Sequence, residues 1–325
     1  MLPEFTYVRP GSLSEALEHA RSEGAVLHAG GTDLLGCLRD GVFSAKKLVA
    51  IGDLEELRRI SPTRDGGLRI GALATLAEVA AHPLILEHYT ALAQGAASAA
   101  SPQLRNQGTL GGNLCQRPRC WYFRGDFRCL RKGGPMCYAI VGENQYHCIF
   151  GGDPCYIVHP SDTAPALVAL DARARLASPS GTRLVPLESF FILPSEDVRR
   201  ETLLQPGELL TEVLLSPPAA GQRSIYRKVR ARGAWDFALA GVAVALSGAD
   251  DRVEAARVVL SGVAPIPWRA VDAEEALNRS RLDAETISRA ATASVAGARP
   301  MTRNGYKVEL VRGLTEETLH TLAAQ

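Results

Sequence analysis

Seven cysteines occur in the 325-residue chain, and six of them fall between Cys115 and Cys155; only Cys37 lies elsewhere. Clustered thiols are soft ligands that suit zinc and iron–sulfur clusters alike. The series Cys115, Cys120, Cys129, Cys137, Cys148 and Cys155 contains no C-x-x-C pair. A zinc ribbon or a thioredoxin-like dithiol is therefore poorly supported, and spacing alone leaves the metal open. Arg117, Arg119, Arg124, Arg128, Arg131 and Lys132 surround the first cysteines, with Asp126 the lone acid among them. Nearby positive charge lowers thiol pKa values and offsets the charge of a ligated cluster. Trp121, Tyr122, Phe123 and Phe127 would shield such a cluster from water, which tunes its potential. The same basic, aromatic run is also a pattern of single-stranded nucleic-acid binding. A net charge of only +1 opposes that reading, and no nucleic-acid partner is expected.

Two glycine loops accompany the cysteines. His28-Ala29-Gly30-Gly31-Thr32-Asp33-Leu34 follows a short apolar segment, and Gly108-Thr109-Leu110-Gly111-Gly112-Asn113 directly precedes Cys115. Successive glycines let backbone N–H groups converge and allow a pyrophosphate to approach closely. Each loop alone reads equally well as a tight turn. Neither is the G-x-G-x-x-G of a dinucleotide-binding βαβ unit, and no Walker A sequence occurs. As a pair they suggest one diphosphate gripped from two sides.

The elements that must position these groups read as follows. A helix over residues 13–21 is capped by Ser12, with Glu15 expected to complete a capping box. Strands are expected at 25–28 and 47–51, a helix from Asp53 to Arg59, a strand at 68–73, and helices at 75–81 and 84–100. Ser161 or Asp162 caps a helix ending near Leu170, followed by a hairpin of 173–177 with 182–186. Strands at 224–229, 237–247 and 253–260 follow, the last two joined by Gly248-Ala249-Asp250-Asp251, then helices at 270–278, 283–296 and 315–324. Antiparallel strands with segregated helices indicate an α+β class. The chain divides into 1–52, 53–218 and 219–325. With 46% hydrophobic residues it can build several cores. No run approaches the roughly 18 apolar residues of a membrane span. The N-terminal residues lack the charged-then-apolar order of a signal peptide, so a cytoplasmic location without membrane contact is expected.

These residues carry a resemblance. The two glycine loops, His159-Pro160-Ser161-Asp162, Tyr226-Arg227-Lys228 and Trp235-Asp236-Phe237-Ala238-Leu239-Ala240 together resemble the FAD-binding medium subunit of the xanthine dehydrogenase family of molybdenum hydroxylases, over nearly the whole chain. The resemblance implies an FAD-binding domain of the vanillyl-alcohol-oxidase (PCMH) type in two subdomains, then a smaller C-terminal α+β domain. It implies that Ala29, Gly30, Gly31, Thr32, Asp33 and Leu34 hold the diphosphate together with Thr109, Gly111, Gly112 and Asn113. Asp162 would accept hydrogen bonds from the ribityl or ribose side, Lys228 would stabilise negative charge at the isoalloxazine edge, and Leu209 would lie near the ring. Read without the family, Asp162 is equally a helix N-cap, Lys228 a solvated strand residue and Leu209 core.

The segment 115–158 resembles the insert of 4-hydroxybenzoyl-CoA reductase β subunits and of flavin subunits of certain bacterial aldehyde oxidoreductases, which binds a [4Fe–4S] cluster. The match assigns Cys120, Cys129, Cys137 and Cys155 as ligands. Cys115 and Cys148 are extra, with Cys148 the nearer substitute, and Cys37 reads as a small buried residue. The implied function is an oxidoreductase subunit carrying FAD and a [4Fe–4S] cluster. It would relay electrons between an external carrier and two partners, a molybdenum-cofactor large subunit and a [2Fe–2S] small subunit. Ferredoxin or NAD would serve as the carrier. No catalytic acid or base is expected in this chain. The alternatives are a stand-alone FAD-dependent oxidase or dehydrogenase, the flavin subunit of an aldehyde or xanthine dehydrogenase-type complex, and a zinc-stabilised binding module.

Overall fold

Parallel pairing of three short strands builds the first sheet: β1 (Thr6–Val8), β2 (Ala25–His28) and β3 (Lys47–Ala50), in the order β1-β3-β2. The computed structural model describes residues 2–249 and 251–325, so Asp250 of the expected turn lies outside the described residues. Leu48, Val49 and Ala50 of the central strand are buried, as a parallel strand covered on both faces should be. Ser12 caps the helix Leu13–Ala20, its Oγ accepting from the Glu15 N–H at 3.2 Å. The expected capping box does not form there, because the Glu15 carboxylate accepts from the Gly11 N–H instead, at 2.7 Å. The reciprocal box occurs at Thr75 and Glu78, opening the helix Leu76–Ala81. Asp53 caps no α-helix; it pairs with Arg9, and only a 3-10 turn, Glu55–Leu57, follows it.

The second sheet is antiparallel and comprises β4 (Ile60–Pro62), β5 (Leu68–Gly71), β6 (Arg173–Ser178), β7 (Gly181–Pro186) and β8 (Leu209–Leu215), in the order β4-β5-β8-β6-β7. The helix expected over 84–100 is two helices, Pro83–His88 and Thr90–Ser98. They break at Tyr89, which is buried and donates its hydroxyl to the Ser216 carbonyl at 2.7 Å. The main core joins Ile70 and Val213 of this sheet to Leu92, Leu110 and Leu167 of the helices.

The third sheet, β9 (Arg223–Val229), β10 (Ala240–Ala249), β11 (Arg252–Ser261) and β12 (Trp268–Arg269), is antiparallel in the order β12-β11-β10-β9. Its period-two alternation divides two cores. Tyr226, Ala243 and Val259 join the main core. Their neighbours Ile225, Val242, Val244, Val258 and Leu260 join a second core with the helices Val271–Leu277, Ala284–Ala293 and Tyr306–Ala323. The last helix begins at Tyr306, well before the expected Thr315, and runs through an exposed Gly313. Burial of Val311 and Leu314 on either side outweighs the glycine cost of about 1 kcal/mol.

Residues 115–158 sit between the second glycine loop and the helix Thr163–Ala169 with little regular structure. They hold one short helix, Trp121–Arg124, and the 3-10 turns Leu130–Lys132 and Tyr138–Ile140. The C-terminal part of the chain clasps this insert. Asn304 Nδ2 donates to the carbonyls of His147 and Cys148 at 3.0 and 3.1 Å. Lys307 is fully buried and donates to Tyr146 O and Gly262 O at 3.0 and 2.6 Å, and burial lowers its pKa to about 7. Among the described residues, no helix is long and apolar enough to cross a membrane.

Candidate functional site

The two glycine loops touch. A Cβ on Gly30 would lie 1.9 Å from the Gln107 carbonyl oxygen, so only glycine permits this approach. Gly31 follows at φ +71°, a conformation strained for other residues. The second loop is tied by its own side chains: Thr109 Oγ1 accepts from the Gly112 N–H at 3.1 Å. Asn113 Oδ1 accepts from Ser161 and Thr163 hydroxyls at 2.5 and 2.7 Å. The loops and the start of the helix Thr163–Ala169 thereby converge on one cavity of about 460 Å³. That size suits a cofactor site. Thr32, Asp33, Gly108, Thr109, Gly112, Asn113 and Asp162 line it. Ala29, Gly30, Gly31, Leu34 and Gly111 do not line it and instead build the turns; Leu34 packs in the small core of Leu38 and Leu48, and a Cβ on Gly111 would meet Ala72 Cβ at 2.8 Å.

Two buried or half-buried carboxylates set the electrostatics. Asp33 reaches the wall of this cavity with its charge already paired to the insert. Its Oδ1 accepts from Arg124 Nη2 at 2.8 Å and from Arg119 Nη1 at 2.9 Å, and its Oδ2 accepts from the Arg117 N–H at 2.8 Å. Asp162 is released from capping because Ser161 Oγ accepts from the Ala164 N–H at 3.0 Å. Its carboxylate accepts from Lys228 Nζ at 2.7 Å and from the Tyr226 hydroxyl at 2.8 Å. Burial holds the Asp162 carboxyl above its usual range, against the opposing pull of Lys228 and Tyr226.

Two expectations change here. Lys228 does not line either cavity; it stands behind Asp162 with its side chain 2% exposed, which is the geometry of a buried ion pair rather than of a solvated strand residue. Leu209 also lines neither cavity. It packs with Ala16, Leu17 and Leu73 in a small core beside the first sheet, while Leu210, Val213 and Leu215 of the same strand join the main core.

A second cavity of about 170 Å³ adjoins the first and shares Arg119, Pro160, Asp162, Asp236 and Phe237 with it. Trp121, Tyr146, His147, His159 and Leu239 supply its other walls. Burial lowers the His159 pKa to about 4, and its Nε2 has no partner among the described residues. Arg119 lies over the Phe237 ring, 4.8 Å from its centroid. Phe237 belongs to no strand; β10 starts only at Ala240, and the preceding residues leave the sheet to wall the cavities. Arg119, His147, His159 and Phe237 were not singled out individually from sequence. Arg119, His159 and Phe237 lie within the runs quoted from the sequence, but His147 carries no local signal because its neighbours come from distant segments.

Four thiols line one narrow cavity: Cys120, Cys129, Cys137 and Cys155, with Tyr122, Phe123, Arg131 and His147 among its walls. Cys148 and Cys115 are outside it, and burial pushes both thiols up to about 12. Cys37 is buried against Phe123 and Cys129. A hydrogen bond between Cys137 and Cys155 holds the Cys137 thiol below its ordinary value and the Cys155 thiol above it. Among the described residues, no three His, Cys, Asp or Glu side chains close on one point as a single-ion site requires. Arg131 is buried, pairs through one nitrogen with Glu201, and leaves its Nε and Nη1 without partners among the described residues.

Comparison with known proteins places this geometry. Residues 3–218 match the FAD binding domain in molybdopterin dehydrogenase, and residues 224–322 match the CO dehydrogenase flavoprotein C-terminal domain. The chain is 37% identical over 326 residues to the aldehyde oxidoreductase FAD-binding subunit PaoB of Escherichia coli (strain K12), covering 99% of both chains. It is 28% identical to the nicotinate dehydrogenase FAD-subunit of Eubacterium barkeri, over 96% of this chain and 94% of that one. A solved structure of carbon monoxide dehydrogenase from Hydrogenophaga pseudoflava superposes with a TM-score of 0.79 at 27% identity, covering 100% of this chain and 99% of that one. The architecture is thus an FAD-binding domain followed by a C-terminal domain, and the chain belongs to the FAD-binding subunits of the molybdopterin dehydrogenase family of oxidoreductases.

Proposed function

We propose that this chain is the electron-transfer subunit of a heteromeric molybdenum hydroxylase, holding one FAD and one [4Fe–4S] cluster. When bound, the two groups pass electrons between one-electron and two-electron partners. Thr32, Thr109, Gly112 and Asn113 would hold the FAD diphosphate in the larger cavity, and Asp162 would receive its hydroxyl side at the junction with the smaller one. Trp121, His159 and Phe237 would enclose the ring and keep water from it. Cys120, Cys129, Cys137 and Cys155 would ligate the cluster, with Arg131 balancing its charge. The observation that supports the cluster is that these four thiols line a single cavity beside the buried Arg131, which is paired with Glu201 and keeps two guanidinium nitrogens without partners among the described residues.

The relatives support an assembly with partner subunits. PaoB and the nicotinate dehydrogenase chain are named as subunits, and the carbon monoxide dehydrogenase structure is described as lacking the Mo-pyranopterin moiety of its molybdenum cofactor. We therefore propose a molybdenum-cofactor large subunit and a [2Fe–2S] small subunit as partners, with ferredoxin or NAD as the external carrier. Identity to PaoB, named as an aldehyde oxidoreductase subunit, supports an aldehyde as the substrate, oxidised in the large subunit.

Metal and flavin analysis of the purified complex tests this proposal. One FAD and one cluster's worth of iron and sulfide in this chain are expected. Zinc without iron would overturn the cluster, and reduction of the flavin by an aldehyde in this chain alone would overturn the partner scheme. A second test addresses the loops. Gly30→Ala forces the Gln107 backbone away, at a cost of about 1–3 kcal/mol by overpacking. It should weaken FAD binding about 10–100-fold in a flavin fluorescence titration and leave the iron content unchanged; unaltered affinity would refute the two-loop grip.

A further inference from the structure

The smaller flavin-side cavity and the four-thiol cavity share two lining residues, Cys120 and His147. These two side chains are therefore the partition between them. His147 Nε2 stands 3.3 Å from Cys120 Sγ. The ring is buried, with Trp121 at 5.8 Å and Tyr122 at 6.0 Å between centroids. Its backbone is pinned at both ends: the N–H donates to Asn144 O at 3.0 Å, and the carbonyl accepts from Asn304 Nδ2 at 3.0 Å. Nδ1 has no partner among the described residues. With Cys120 ligated as a thiolate, the tautomer carrying its proton on Nε2 is the one that makes a hydrogen bond, and the sulfur is its acceptor.

We propose that His147 is a positioning residue for electron passage: it donates Nε2–H to Cys120 Sγ, fixes that thiolate in the wall facing the flavin cavity, and raises the reduction potential of the cluster. This rests on the cluster assignment above. A hydrogen bond to a ligating sulfur withdraws charge from it, which favours the more negative, reduced state. The ring's Trp121 and Tyr122 contacts would serve packing equally well without a donor, so the test must separate donation from bulk.

His147→Leu keeps comparable bulk and removes the donor; His147→Gln keeps an N–H. Redox titration of the whole complex, followed by electron paramagnetic resonance of the reduced cluster, reads both. With iron and FAD contents unchanged, His147→Leu should shift the reduction equilibrium about tenfold toward the oxidised cluster, ~59 mV for one electron. His147→Gln should stay near the wild-type potential. Wild-type potentials in both variants would overturn the inference. If His147→Leu loses its iron, the glutamine variant decides: a wild-type potential supports donation, and a full tenfold shift overturns it. Wild-type protein without iron would overturn the cluster assignment itself, before any variant is compared.

Discussion

Cys137→Ser is expected to remove nearly all iron from this chain and leave FAD bound. Cys137 is buried and lines only the four-thiol cavity, where its sulfur is held by Cys155 and by backbone N–H groups near Ala139, Ile140 and Tyr156. Serine offers a hard, weakly acidic oxygen where a soft thiolate is required. Neither flavin-side cavity includes this residue, so the FAD absorbance should persist. The insert has sparse regular structure, so loss of the cluster should also loosen residues 115–158, read as faster proteolysis there. Cys148→Ser is the matched control. Cys148 is buried outside the cavity, beside Asn304, and its variant should keep its iron. Full iron content in Cys137→Ser would refute the ligand assignment. Loss of iron in Cys148→Ser alone would transfer the role to that residue.

Lys228→Met should destabilise the folded chain by about 3–5 kcal/mol, the scale of removing one partner of a buried ion pair. The Lys228 and Asp162 side chains are 2% and 6% exposed, so water does not replace the lost ammonium. Tyr226 alone remains to satisfy the carboxylate. The effect should depend on pH with a definite sign. Burial already holds the Asp162 carboxyl above its usual range, and removal of Lys228 raises it further. Below the ordinary carboxylate range, Asp162 is protonated in both the folded and unfolded variant, and the penalty is small. As pH rises through its elevated folded-state value, the unfolded chain releases that proton first and the penalty grows. Chemical denaturation at acidic and neutral pH measures this, and a pH-independent loss would contradict it. Asp162→Asn should remove most of the Lys228→Met penalty in a double-mutant cycle. Because Asp162 lines both flavin-side cavities, Lys228→Met should weaken FAD as well, although Lys228 lines neither.

Features with a local cause were legible from the residues. Ser12 caps the first helix, the hairpin of β6 and β7 forms, and β10 pairs with β11, because each depends on a cap, a turn or a period-two pattern within a few residues. The structure departs from these expectations where another group, near or far in the chain, takes the same atoms. Glu15 turned to the Gly11 N–H rather than close a capping box, and Asp53 took Arg9 rather than a helix end. The helix Tyr306–Ala323 extended through Gly313 because the core on its buried face outweighed the local preference.

The site divides along the same line. By itself, the sequence determined the glycine loops, whose close approach needs no side chain, the cluster of thiols and arginines that follows the second loop, and the resemblance they carry. Only the tertiary structure decided which groups meet. It separated four thiols from Cys115 and Cys148, and it paired Asp33 with insert arginines. It also set Lys228 behind Asp162 rather than at a cavity wall, and brought His147 to Cys120. The physical reason is burial. In a low-dielectric interior each charge and each polar hydrogen must find a partner, and the partners are chosen by packing among segments far apart in the chain.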